Sequence, residues 1–272
     1  MMRRKEGVIP RDMVGRVLDV AGDDTVLVGG QALAFWMIRY GVFLPGDLDV
    51  VTHDMDFAVI DRAIEAPLKR FAKAMGGTYE ISHAAMSQLV GIASVPLDAT
   101  VAANVDVLWK VRGFEPGELE RRAVQVTDAD GRRYRVMHPL DVLRSRCINL
   151  HEIPEKRDDK GQAQARLACE IVRRFLVDQI RTAAATATAE ERDRIALKAF
   201  RPIRTLATTQ AARKNAARYG IHAADAIPAA LVGPDSAFWE RDWGILRSLM
   251  SAAYAQHCED QRDECRDAQR PK

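Results

Sequence analysis

Apolar and polar positions follow two different periods along the first half of the chain. Helical spacing runs through residues 10–21, where Met13, Val14, Val17, Leu18 and Val20 recur after Pro10. Thr25–Val28 predicts a short buried strand, and Gln31–Tyr40 an apolar helix stopped by Gly41. Pro45 and Gly46 mark a turn, after which Leu48–Val51 reads as a strand end or a loop. Met55–Ile60 predicts a strand, and Asp61–Met75 a helix closed by Gly76-Gly77. Strands are expected over Thr78–Ser82, Gln88–Ala93 and Val105–Trp109. A hairpin follows, with arms Ala123–Thr127 and Arg133–Met137 around Asp128-Ala129-Asp130-Gly131.

After His138-Pro139 the periodicity is helical throughout. Helices are expected over Asp141–Leu150, over 160–182, over 189–219 with a break near Pro202, and over Ser236–His257. Residues 259–272 are almost all polar and predict a disordered tail. The chain therefore divides into an α/β domain over 1–137, a helical domain over 138–258 and the tail.

Composition narrows the class. The 272 residues are 47% hydrophobic, enough to bury a substantial core in one large domain or two ordinary ones. A net charge of +2 does not itself demand nucleic acid, but its distribution is uneven. Residues 1–137 hold 17 Lys+Arg against 19 Asp+Glu, and residues 138–272 hold 23 against 19. From Arg194 to Ala224 there are seven basic residues and no acidic one. Arg194, Lys198 and Arg201 share one helix face there, which suits a phosphate-rich partner such as tRNA and equally suits an ordinary solvated helix. Cys147, Cys169, Cys258 and Cys265 show no zinc spacing, and a reduced compartment is the economical reading. The start MMRRKEG is not followed by an apolar signal core, and no run reaches the ~18 apolar residues of a membrane span. A cytoplasmic protein without a membrane partner is expected.

Three acids in apolar surroundings carry the candidate chemistry. Asp54 and Asp56 are two residues apart in THDMDFAVI, so their side chains leave one face of a strand. Asp106 stands in NVDVLW, where an uncompensated carboxylate is costly. Three such groups together make a hard oxygen site suited to Mg²⁺. Asp-x-Asp also occurs at Asp47/Asp49 and at Asp128/Asp130. The latter belongs to a turn beside Gly131, and Asp54/Asp56 is preferred over Asp47/Asp49 because FAVI continues its strand directly. Gly29 and Gly30 end a strand and open a helix, a tight turn that is also what a phosphate cradle is built from.

Gly29-Gly30, Asp54-Met55-Asp56 and Asp106, in this order over about residues 24–110, resemble the nucleotidyltransferase superfamily with the DNA-polymerase-β-like catalytic fold. GGQALAFW followed by T-x-D-x-D-F is similar to the bacterial branch that includes AbiEii-type nucleotidyltransferase toxins. The chain departs from that branch at Val50, where Arg is common, at Gly30, where other members carry Ser, and in a longer interval from Gly30 to Asp54. The resemblance implies an α+β fold, a mixed sheet with flanking helices followed by a C-terminal helical domain. It implies two Mg²⁺ ions on Asp54, Asp56 and Asp106, backbone contacts from Gly29 and Gly30 to the phosphates of an NTP, and a cation such as Lys160 for the triphosphate. It further implies transfer of a nucleotidyl group to a hydroxyl of tRNA or protein, in a toxin with a cognate antitoxin. A small-molecule (antibiotic) nucleotidyltransferase and an inert binding partner of the same fold are the alternatives.

Overall fold

The computed structural model of the chain describes residues 5–43, 54–60, 65–82, 88–115 and 117–268. The expected turn at Pro45-Gly46, the competing pair Asp47/Asp49, the strand end or loop expected at Leu48–Val51 and the start of the helix expected from Asp61 lie outside them. The first elements are β1 (Lys5–Glu6), α1 (Arg11–Asp19), β2 (Thr25–Val28), α2 (Gly29–Tyr40), β3 (Met55–Val59) and α3 (Glu65–Met75). They are followed by β4 (Thr78–Ile81), β5 (Leu89–Pro96), β6 (Val101–Leu108), α4 (Glu118–Arg122), β7 (Val124–Thr127) and β8 (Arg133–Val136). The helices α5 (Pro139–Glu152), α6 (Asp159–Ala183), α7 (Ala189–Ala207), α8 (Gln210–Tyr219), α9 (Phe238–Arg241), α10 (Trp243–Arg247) and α11 (Ala252–Ala268) complete the chain. The fold is α+β. It separates into two compact units, Met1–Trp36 with Asp49–Val142, and Met37–Leu48 with Leu143–Lys272, so a division falls inside α5 rather than at residue 137.

All the strands belong to the first unit and form one mixed sheet, in the order β4-β5-β6-β3-β2-β8-β7. The short β1 runs parallel to the start of β6 at Val101 and Ala102, and β3 takes over as the parallel neighbour from Val105 onward. β2 is antiparallel to β3 and parallel to β8. Burial of one face of the central strands explains why they form where they do. Met55, Phe57, Val105 and Val107 are at most 1% exposed, and Phe57 stacks on Phe71 of α3 at 4.6 Å between ring centroids. Arg70 anchors α3 to the segment before β2, with Nη2 2.6 Å from Asp24 Oδ1 and Nε donating to the Val20 carbonyl at 3.1 Å. α2 is fastened by Trp36, whose Nε1 donates to the Met137 carbonyl at 2.8 Å.

β5 and β6 are longer than the pattern predicts, because the chain reverses at Asp98. The Asp98 carboxylate accepts from the amides of Thr100 (2.6 Å) and Val101 (2.8 Å), and the paired strands start immediately on either side. β1 and α4 have no counterpart in the expected elements.

In the second unit, α6 buries Ala165, Ala168, Ile171, Val172 and Leu176 along one stripe. Asp158 caps it, accepting from the Gly161 amide at 2.8 Å. The expected break near Pro202 does not occur: Pro202 sits exposed inside α7, where it removes one amide donor without ending the helix. The break comes at Thr208-Thr209. Their hydroxyls donate to the carbonyls of Thr205 and Leu206 at 2.8 and 2.7 Å, and Thr209 Oγ1 accepts from Ala212 to open α8. The single helix expected over Ser236–His257 is three helices. It is interrupted at Asp242 and again before α11, where Ser251 Oγ donates to Asp225 at 2.7 Å.

Of the tail expected to be disordered over 259–272, residues 259–268 are helical. α11 continues to Ala268, held by Glu259, which accepts from Trp243 Nε1 at 2.8 Å and pairs with Arg247 at 3.0 Å. Arg262 lies 4.9 Å over the Trp239 ring, so polar residues here clamp aromatic ones rather than merely solvate the chain. Among the described residues no helix is long and apolar enough to cross a membrane.

Candidate metal centre

The packing of the hydrocarbon face decides where the acids point. Successive side chains of a strand alternate between faces. With Met55, Phe57, Val105 and Val107 committed to the core, Asp56 and Asp106 must emerge on the opposite side. They are register partners across the parallel β3–β6 pair. Asp54 directly precedes β3 and lies two residues before Asp56, on that same side. The result is a cluster in which one carboxylate oxygen from each of Asp54, Asp56 and Asp106 lies within 4.8 Å of the others, all three side chains being partly buried.

Two unit charges at this separation repel by about 1 kcal/mol in water, and by more where solvent is partly excluded. A divalent cation is the economical compensation. The donor set fits a hard one, because it is all carboxylate oxygen without thiolate or imidazole.

Gly29 is built into the same site. It follows β2 directly at φ +64°, and a Cβ at this position would come within 1.8 Å of Asp56 Oδ2. Only glycine satisfies both conditions, since the left-handed conformation is costly for other residues and the carboxylate fills the space a side chain would take. The register explains the approach: Val28 pairs with Asp56 across β2–β3, so the next residue turns over the carboxylate. α2 begins here, two residues earlier than the apolar pattern predicts, and the buried Gly30 is its second residue. The first amides of a helix lack intrahelical acceptors and suit an anion.

Of the remaining expected residues, Lys160 is the second residue of α6 in the helical unit, close to the capping Asp158. Arg146, on α5, is buried and donates to Gln164 Oε1 at 3.0 Å, an internal role. Cys258 is buried on α11 while Cys265 on the same helix is exposed. Sequence reasoning does not single out Asn104, which precedes Asp106 by two residues on β6 and emerges on the acidic face. Its signal is the same alternation that places Asp106.

No family model matches the chain, and no curated protein matches it.

Proposed function

We propose that the chain is a Mg²⁺-dependent nucleotidyltransferase that moves a nucleotidyl group from an NTP to an acceptor hydroxyl on tRNA or protein, with pyrophosphate as the leaving group. The observation that carries this is the meeting of Asp54, Asp56 and Asp106 within 4.8 Å, on a sheet face that also holds the Gly29 turn. Asp54, Asp56 and Asp106 are the residues that would hold the metal. Mg²⁺ held there would supply charge to neutralise a triphosphate and to lower the pKa of an acceptor hydroxyl, as a two-ion arrangement suits in-line displacement. The chain's own groups do the rest. Asp106 accepts the hydroxyl proton, as a carboxylate on the face where acceptor and phosphate meet. The first amides of α2 orient the phosphates, and Gly29, by carrying no side chain, leaves room for the Asp56 carboxylate beside them. Lys160, the cation expected for the triphosphate, belongs to the second unit. An activity of this kind serves a toxin with a cognate antitoxin.

The test is incubation of the purified chain with Mg²⁺ and each of four α-labelled NTPs, with total tRNA or a cell extract as acceptor. Label in one macromolecular class, lost in Asp56→Asn protein of unchanged circular dichroism, supports the proposal. Full transfer by Asp56→Asn protein rejects it.

A further inference from the structure

A second polar surface lies wholly within the helical unit. α7 and the segment around α9 enclose a groove of ≈ 640 Å³ lined by Arg194, Lys198, Arg201 and Arg241, together with Glu190, Asp193 and Ser236. The four cations are exposed. None of them forms an ion pair among the described residues, although their acidic neighbours are engaged. Asp193 accepts from the Gly233 amide at 2.8 Å and so fastens the turn before α9. Asp242 pairs with Arg204 at 3.7 Å, and Glu191 completes the capping box of α7 with Thr188. Asp193 therefore shapes the groove, and the cations face solvent.

Arg194, Lys198 and Arg201 rise about 10 Å along α7. A row of cations of that length can follow a phosphate backbone laid along the helix. Phe200, the aromatic residue of this stretch, is 1% exposed and points into the core, so base stacking has no platform here. The groove also offers the Glu190 carboxylate and the Ser236 hydroxyl beside the cations. Acceptors placed among phosphate-binding cations suit a hydroxyl donor, and a ribose 2′-OH is the one that RNA has and DNA lacks. We propose that this groove is a binding site for the ribose-phosphate backbone of RNA. The inference concerns binding alone and stands apart from the transferase reading.

The experiment is fluorescence anisotropy of a labelled 12-nucleotide RNA and its DNA counterpart, with the 272-residue chain in EDTA and without NTP, across a salt series. Tighter binding of RNA than DNA is expected. The triple variant Arg194→Gln/Lys198→Gln/Arg201→Gln is expected to weaken it at least tenfold and to flatten the slope of log K against log salt by about 2, at ~0.7 per single-strand phosphate contact. All three side chains are exposed, and an unchanged thermal melt verifies the fold. Equal affinity and slope in the variant, equal binding of DNA, or no RNA binding at low salt overturns the proposal. So does displacement of RNA by polyglutamate at equal charge, which points to an acidic protein segment instead.

Discussion

Asp56 and Asp106 are direct register partners on adjacent parallel strands, two like charges placed opposite one another. Such a pair destabilises a sheet unless something compensates it. In the absence of divalent cation, Asp106→Asn is therefore expected to leave stability unchanged or to raise it by about 0.5–1 kcal/mol. Mg²⁺ is expected to stabilise the unsubstituted chain, by about 2.7 kcal/mol at ~100 times its Kd, and to do little for the variant. Urea unfolding in EDTA and in Mg²⁺ reads both effects. A variant less stable in EDTA, with no Mg²⁺ response in either protein, would contradict a metal centre here.

Gly29 supplies a different test of the same site. Gly29→Ala is expected to cost about 1–2 kcal/mol for its left-handed backbone and, in addition, to displace the Asp56 carboxylate that would meet the new methyl. Gly131→Ala is the control: its φ is +83°, and a Cβ there would meet nothing within 4 Å. Both should lose stability, and Gly29→Ala alone should lose its Mg²⁺ response by tenfold or more. Equal Mg²⁺ affinity in the two, measured by calorimetry, separates Gly29 from the acidic cluster.

The acidic cluster was legible because each of its strands shows an apolar side: Met55-Phe57 and Val105-Val107 reveal the alternation that sends Asp56 and Asp106 the other way. Their pairing was not legible, since register depends on which strands meet. The reversal at Asp98 and the double-threonine break at Thr208-Thr209 were present as turn and cap chemistry, but Gly and Pro drew the elements' limits elsewhere. Pro202 misled because an exposed helix position tolerates the loss of one amide when the rest of the face stays buried. The tail misled because its polar residues find partners, Glu259 with Trp243 and Arg262 with Trp239, which composition alone does not disclose.

Asp141 is 1% exposed and pairs with Arg122 of α4 at 3.1 Å. Arg122 is itself 37% exposed, and its removal leaves the buried Asp141 carboxylate without its cation. Arg122→Ala is expected to destabilise the chain by about 1–3 kcal/mol, less than for a fully buried pair because solvent screens the guanidinium, and adding Asp141→Asn is expected to recover part of that loss rather than add to it. A double-mutant cycle by chemical denaturation measures the coupling, and strict additivity would show that the two side chains act independently.

Glu259 gives the helical unit its own test. It accepts from the Trp243 indole and pairs with Arg247, so Glu259→Ala removes a charge-assisted hydrogen bond from an aromatic group 6% exposed. A loss of about 1–2 kcal/mol is expected, with red-shifted tryptophan emission. Unchanged emission and stability would place residues 259–268 outside the cooperative fold.

His138 stands immediately before α5, and its Nδ1 accepts from the Leu140 amide at 3.2 Å, which requires that nitrogen to be unprotonated. Burial first, and the nearby Arg122 charge second, pull its pKa from 6.5 down to about 4. The unfolded chain thus takes up a proton near pH 6.5 that the folded chain refuses until about pH 4. Stability from this group is complete above pH 6.5, falls as the pH drops through the interval to about 4, and changes no further below it. At ~1.4 kcal/mol per unit the loss is on the order of 3 kcal/mol. His138→Asn keeps a helix-capping acceptor without a titrating ring. It is expected to remove this part of the acid sensitivity while remaining close to the parent at pH 7.5. Urea unfolding of both proteins at pH 7.5 and 5 decides it, with the imidazole proton shifts of His138 as a direct readout. Parallel loss of stability in the two proteins, or titration of His138 near 6.5 in the folded chain, would remove the imidazole from this role.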